Sequence, residues 1–473
     1  MNNNSLMSQA EAIVKDWFLE NEHLITSASD KIWSIAETMF KEHESVKVLT
    51  GTFVSSGFEI GEVEGFDTAF TATWSNGEGP TIAMIGEYDA LPDLGHAIAE
   101  HPVPNGKNGH GCGHNLLGVG SMAAALSAKA AMEQLNISGT IKYFGCPAEE
   151  GGYSKVFMVR DGVFEGIDAL VRWHPANATY VSMASCTASS RLKFEFFGKT
   201  AHAGTTPHLG RSAMDAAVLT EVGINFLREH VPRSSKMFST NLHVDKAGGG
   251  IPAHAELYYG VGATRMRDVR ELVARMETVA KGMAMATETT VVIHHGYSSS
   301  EVLPNLALSR RMLENLKKVG PPAFTDEEKA FAKKLNKDLS VHEKSKSLEM
   351  YAIYDPKIGE KDLHDEISEN MDIGGLVQYA TDSGDVSWQA PMCQIFVAAT
   401  TIGSANHSWQ QVVCSGSGIG HKGMFTAGKT IALTALDILT DPELLRQAKE
   451  EYHSMLDAFP YSNPLPADMK TGI

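Results

Sequence analysis

Three times along this chain a short apolar run stops at residues able to bind a cation or carry a proton. Residues 81–86 (TIAMIG) end at Glu87-Tyr88-Asp89, and residues 139–145 (GTIKYFG) run into Cys146-Pro147-Ala148-Glu149-Glu150. Residues 167–173 (IDALVRW) end at His174-Pro175. Apolar runs of this length, bounded by turn residues, read as buried strands. An Ala-rich helical stretch, 116–134, separates the first two, and a further apolar run, 393–399 (CQIFVAA), comes late in the chain. Strands alternating with helices make an α/β fold. In open α/β sheets the site lies outside the carboxyl ends of the strands. One pattern therefore specifies both the fold class and the place where chemistry sits.

Directly before the Ala-rich stretch stands Gly109-His110-Gly111-Cys112-Gly113-His114-Asn115. Glycine permits tight folding of the backbone, so neighbouring side chains can converge. Thiolate and imidazole are ligands for zinc-like and manganese-like cations. Glu149 and Glu150 stand at a strand end behind Pro147, which delays any following helix. Beside a metal, two successive carboxylates can divide the work, one holding the cation and the other moving a proton. His174 adds an imidazole at the third strand end. Two late histidines compete for a last ligand place. His407, in Asn406-His407-Ser408-Trp409, follows the last apolar run; His421, in Gly420-His421-Lys422-Gly423, lies near the start of the next helix. The position just past a strand favours His407.

Composition narrows the remaining classes. At 473 residues the chain is too long for one core. A formal net charge of −17 argues against nucleic acid and anionic membrane as partners. No apolar run approaches the length that spans a bilayer, and the opening residues lack the pattern of a signal peptide. Five irregularly spaced cysteines fit a reducing cytoplasm, where Cys112 stays available to metal. Residues 9–42 read as helical. Near residue 188 the pattern changes to a strand at 189–197, a helix at 211–229, strands at 238–245 and 255–263, a helix at 267–286 and a strand at 288–295. That β-α-β-β-α-β order belongs to a small ferredoxin-like unit. The expected division is a catalytic domain in two parts, 1–187 and 298–473, around an inserted lid of 188–297. Residues 320–370, rich in Lys, Glu and Asp, read as a solvated insertion, and two helices are expected to close the chain.

Longer motifs run through the same residues: GEYDALP (86–92), NGHGCGHNLLG (108–118), GCPAEEGG (145–152), WHP (173–175), AHAGTTPHLGRSAMDA (201–216) and SGDVSW (383–388). Together they resemble the co-catalytic two-metal amidohydrolases and exopeptidases, the family of aminoacylases and glutamate carboxypeptidases. The resemblance covers nearly the whole chain. It implies a zinc-peptidase-like catalytic domain with a central mixed sheet, and an inserted ferredoxin-like α+β lid and dimerisation domain. It also implies two divalent metal ions, Mn2+ or Zn2+, held by Cys112, His114, Glu150, His174 and His407. Glu149 would be the general base, and Asp89 would orient a ligand. His202, in the lid, would stabilise the oxyanion in a partner subunit. The chain is thereby expected to be a homodimer, or a heterodimer with a related subunit. The implied reaction is hydrolysis of an N-acyl amino acid amide, p-aminobenzoyl-glutamate-like, by metal-activated water.

The lid departs from the family pattern. Relatives carry an asparagine ahead of Ile-Pro-Ala; here the segment is Gly248-Gly249-Gly250-Ile251-Pro252-Ala253. The position of the family's substrate-binding arginine falls on Gly262, with Arg265 and Arg267 just beyond it. Two other readings follow. One is a hydrolase of an amide or aromatic amine lacking an α-carboxylate. The other is a non-catalytic partner subunit, against which the complete ligand set and Glu149 stand.

Overall fold

The computed structural model of the chain describes residues 3–246, 248–348, 357–369, 372 and 374–471. Its strands, in chain order, are β1 (Glu59–Val63), β2 (Phe66–Ser75), β3 (Thr81–Glu87), β4 (Thr140–Cys146), β5 (Ala169–Ala176), β6 (Tyr180–Ser182) and β7 (Ser185–Cys186). There follow β8 (Ala188–Phe197), β9 (Lys236–Val244), β10 (His254–Ala263), β11 (Thr290–Ser299), β12 (Leu376–Val377) and β13 (Met392–Ala398). The larger sheet runs β1-β2-β4-β3-β5-β13-β6. Its middle four strands are parallel, and β1, β2 and β6 join antiparallel at the edges, so the sheet is mixed. The parallel strands are continuous apolar runs because both sheet faces are covered. Parallel pairing brings their carboxyl ends to one edge: Glu87 pairs with Cys146, and Phe396 with His174.

The helix His114–Leu135 packs against β3, β4 and β5, beside the helix Gly418–Thr440. Its Ala123, Ala124, Ala125, Ala128 and Ala131 are all fully buried. A helix apolar on every side belongs inside a core. Two glycines set how closely it approaches. A Cβ on Gly118 would lie 2.7 Å from the Glu87 carbonyl oxygen, and one on Gly120 would lie 2.8 Å from the Trp173 ring. The first turn, with His114, is thereby held against the ends of β3 and β5.

The second sheet, β11-β8-β10-β9, is antiparallel throughout. The helices Ala213–Leu227 and Met266–Ala286 cover one face, in the β-α-β-β-α-β order of a ferredoxin-like unit. Phe194, Phe196, Leu257, Tyr259 and Met276 form a core there, distinct from that of the larger sheet. The two-residue strands β7 and β12 pair with each other.

Some elements differ from the sequence reading. The helix expected over 9–42 is two helices, Asn3–Glu20 and Glu22–Ile35, and the second stops where Ala36 turns left-handed (φ 48°). Residues 43–55 form a separate helix, and the hairpin β1-β2 adds two strands that the apolar pattern does not announce. Three helices, not two, follow β13: Trp409–Ser415, Gly418–Thr440 and Pro442–Ala458. Within 320–370, the buried Phe324, Ala332, Leu335 and Leu363 pack against Val413 and Ile419, so charge alone misrepresents this segment. Its residues 349–356 and 370 lie outside the described residues.

Candidate active site

Asp89, two residues past the end of β3, is almost wholly buried and faces two ways. Its Oδ1 lies 2.7 Å from His114 Nδ1, and its Oδ2 accepts the Glu150 N–H at 2.9 Å. A carboxylate only accepts, so Nδ1 presents a proton to Asp89 and Nε2 is the nitrogen turned to the cluster. That Nε2 is buried without a hydrogen-bond partner, 3.4 Å from Glu87 Oε2. His174 repeats the arrangement. Its Nδ1 donates to the Pro175 carbonyl at 2.7 Å, which leaves Nε2 facing Cys112 Sγ at 3.5 Å. Glu150 Oε1 is buried without a partner, while its Oε2 lies 3.3 Å from His407 Nε2.

These atoms form three overlapping groups: Cys112, His114 and His174; Cys112, Glu150 and His407; and His114, Glu149 and Glu150. Within each, one donor atom per residue lies within 4.8 Å of the others. An unpartnered imidazole nitrogen, a second one met only by a thiol, and an unpartnered carboxylate oxygen aimed at one small volume cost free energy in a dry site. A divalent cation removes that cost, and imidazole, thiolate and carboxylate are its usual ligands. The donors fit a metal.

The electrostatics point the same way. Burial, opposed by His114, pushes the Glu150 carboxyl up to about 7. Burial, with the charges of Glu87 and Glu150, pushes Glu149 up to about 7. Burial also raises the Cys112 thiol and holds His174 down to about 3. A site short of positive charge, with a neutral imidazole, is prepared for a cation. Glu149 is fixed from outside the cluster, its Oε1 accepting the Thr381 hydroxyl at 2.8 Å.

The other sequence candidates lie as follows. His407 sits in the loop after β13 with φ 59°, its N–H on the Gly111 carbonyl at 3.1 Å. His421 pairs instead with Asp30, Nε2 to Oδ1 2.9 Å, apart from the cluster. His110 is buried against the Ile32 carbonyl. His202 is exposed in the 188–297 unit and does not join the clustered donors of its own chain. Its Nδ1 accepts the N–H groups of Gly204 and Thr205, each at 3.1 Å. Arg265 pairs with Glu301 at 3.3 Å and covers the Phe459 ring at 4.6 Å. Arg267 lies 5.6 Å from the same ring and pairs with Asp268. Both are occupied at the C-terminal segment, so neither stands in for the arginine missing at Gly262.

Sequence reasoning missed the ion network behind the site. Glu87 meets Lys155 Nζ at 2.9 Å and Arg172 at 3.3 Å, and Lys155 meets Asp382 at 2.7 Å. All four side chains are buried. The signal was present in the apolar runs themselves: Arg172 interrupts IDALVRW, and a buried cation demands an anionic partner.

A mixed sheet whose parallel strand ends gather thiol, imidazole and paired carboxylates, with a ferredoxin-like insertion, defines a class of metal-dependent hydrolases. Residues 83–452 match peptidase family M20/M25/M40, and the chain belongs to it as a metal-dependent amidohydrolase. The chain is 36% identical over 479 residues to one of the two kinds of subunit named for the p-aminobenzoyl-glutamate hydrolase of Escherichia coli (strain K12), covering 98% of this chain and 99% of that protein. It is 29% identical to the Xaa-Arg dipeptidase of Mus musculus, over 90% of this chain and 88% of that one. A dinuclear metal binding peptidase of the M20 family from Bacillus subtilis shares the fold, with TM-score 0.57 at 15% identity, over 89% of this chain and 99% of its own. Among the described residues no helix is long and apolar enough to cross a membrane.

Proposed function

We propose that the chain hydrolyses the amide bond of an N-acyl amino acid of the p-aminobenzoyl-glutamate kind, at a centre of two divalent ions, Mn2+ or Zn2+. The observation that carries this reading is the pair of buried, unpartnered atoms His114 Nε2 and Glu150 Oε1 beside Glu149. The substrate class comes from the relative in Escherichia coli. Cys112, His114, Glu150, His174 and His407 would hold the ions, with Asp89 orienting His114. When bound, such ions polarise a carbonyl and lower the pKa of water to about 7. Glu149, anchored by Thr381, takes the proton of the attacking water and returns it to the leaving nitrogen. His202, with Nδ1 already accepting, carries its proton on Nε2 and can donate to an oxyanion in a partner chain.

We assign residues 188–297 to an inserted lid and pairing domain, between the catalytic parts 1–187 and 298–473. Its helix Ala213–Leu227 exposes an apolar stripe: Met214, Val218, Val222 and Phe226 are 39%, 44%, 44% and 66% exposed. Such a stripe at helical spacing fits a buried interface between two chains. The Escherichia coli relatives are named as two different subunits of one hydrolase, which supports a related chain as an alternative partner to a second copy. The five unpaired cysteines fit a cytoplasmic setting.

The test is release of p-aminobenzoate from p-aminobenzoyl-glutamate by metal-reconstituted protein, with Glu149→Ala as the blank. Failure to hydrolyse any of a panel of N-acyl amino acids, with bound ions verified, overturns the reading. Glycine at position 262, where the family pattern has arginine, favours a second reading, a substrate without an α-carboxylate. An amidated substrate cleaved at least as fast as its free acid would select it.

A further inference from the structure

The outer face of the four-stranded sheet holds a niche around Gly262. On β10, Gly260 and Gly262 leave two adjacent outward positions empty of side chains. In register beside them stand Arg191 on β8 and Lys236 and Phe238 on β9. The space is already shared: a Cβ on Gly260 would meet the Arg191 guanidinium and the Phe238 ring, and one on Gly262 would lie 3.9 Å from Lys236 Cβ. Arg191 lies over Phe238 at 5.5 Å, which fixes its plane without neutralising it. Neither Arg191 nor Lys236 has an ion pair or hydrogen bond from its side chain among the described residues. Further along the same face the charges are paired: Lys193 sits 2.8 Å from Glu256, and Glu195 receives His254 and His294 at 3.0 and 2.7 Å. The two free cations are confined to the glycine niche.

A short chain of contacts leads from the niche to the candidate active site. Next to Gly262, Thr187 donates its N–H to the Tyr379 carbonyl at 2.9 Å, which ties this end of the lid to the larger sheet's side of the molecule. Thr381, whose hydroxyl donates to Glu149 Oε1 at 2.8 Å, stands two residues past Tyr379.

We propose that Arg191, assisted by Lys236, binds the carboxylates of the substrate's amino-acid half, in the space that Gly260 and Gly262 leave open. The inference rests on the amidohydrolase reading above and sharpens it to an anionic, glutamate-like leaving group. A guanidinium presents a planar fork that matches a carboxylate, and a lysine adds a point charge for a second one. The arginine is supplied from β8. The glycines on β10 give it room to lie across the strand.

Kinetics would compare p-aminobenzoyl-L-glutamate with its α-carboxamide, using wild type, Arg191→Gln and Lys236→Ala. Titration calorimetry would give the binding of both compounds to the metal-free proteins. Loss of a charge-assisted hydrogen bond should raise KM and Kd for the acid about 10- to 100-fold in Arg191→Gln, with kcat little changed. The carboxamide should be far less affected, and Lys236→Ala should show a smaller shift in the same sense. Equal losses for acid and carboxamide, or an unchanged KM, would overturn the proposal. Lys236 is an exposed residue of an edge strand, so its variant keeps the comparison available should Arg191→Gln fail to fold. Binding of the acid that depends on Arg191, without turnover by wild type, would keep the niche and discard the amidohydrolase reading. Rapid turnover with no preference for the acid would do the reverse.

Discussion

Asp89 shows how much one buried carboxylate can decide. By accepting from His114 Nδ1 and from the N–H of Glu150, it aims one donor from a helix start and one from a strand end at the same point. Asp89→Ala should lower divalent metal affinity about 10- to 100-fold, measured by competition with a chelator, with the fold retained in circular dichroism. A second carboxylate gives a prediction remote from the metal donors. Burial pushes Asp385 up to about 7, against hydrogen bonds from Ser300 and Tyr461. Its unfolded value lies near ~4, so the folded chain holds an extra proton between about pH 4 and pH 7. The resulting stability is full below that window and is lost as pH rises through it. Asp385→Asn stays neutral, and should gain on wild type by about 1–3 kcal/mol between about pH 5 and pH 8. A difference constant across pH would contradict this. Residue types and strand ends were legible in the sequence. Which ring nitrogen is bare was not, because Asp89 and Pro175 set that through contacts formed only in the fold.

Among the elements, the helix His114–Leu135 and the ion network beneath it hold the cluster in place. Gly118→Ala would drive a methyl against the Glu87 carbonyl, a backbone group that cannot turn aside. It should cost about 1–3 kcal/mol in denaturant unfolding and weaken metal binding at the same time. Lys155→Met would strand Glu87 and Asp382 without their shared cation. That variant should lose about 3–5 kcal/mol, far more than an exposed lysine replaced in the same way. Strands β3, β4 and β5 were legible because burial on both faces makes an uninterrupted apolar run. The hairpin β1-β2 was not, since β1 is half-exposed and mixes glycine with glutamate. The break at Asn21 was hidden as well, because helical spacing continues across it. Ala36 ends the second helix left-handed, where glycine would have announced the stop.

At the scale of the molecule, the proposed pairing of chains rests on the exposed His202 and on the apolar stripe of the helix Ala213–Leu227. Val222→Asp, placed in that stripe on the helix Ala213–Leu227, should halve the mass found by light scattering. It should also abolish turnover if His202 acts across the interface. Mixing inactive Glu149→Gln with inactive His202→Ala should restore about a quarter of wild-type activity, since about half of randomly paired dimers would contain one intact site. Two cores and an inserted β-α-β-β-α-β order could be read from hydrophobic periodicity. The surface proposed to join two chains could not, because an interface stripe and a core stripe have the same spacing. The proposed function requires Glu149 to move the proton at a metal centre that Cys112, His114, Glu150, His174 and His407 would hold. The decisive experiment follows p-aminobenzoate release from p-aminobenzoyl-glutamate while counting bound metal, in wild type and Glu149→Gln. Two ions per chain are expected in both proteins, with a rate about 10²- to 10⁴-fold lower in the variant. Equal rates at equal metal content would refute that role.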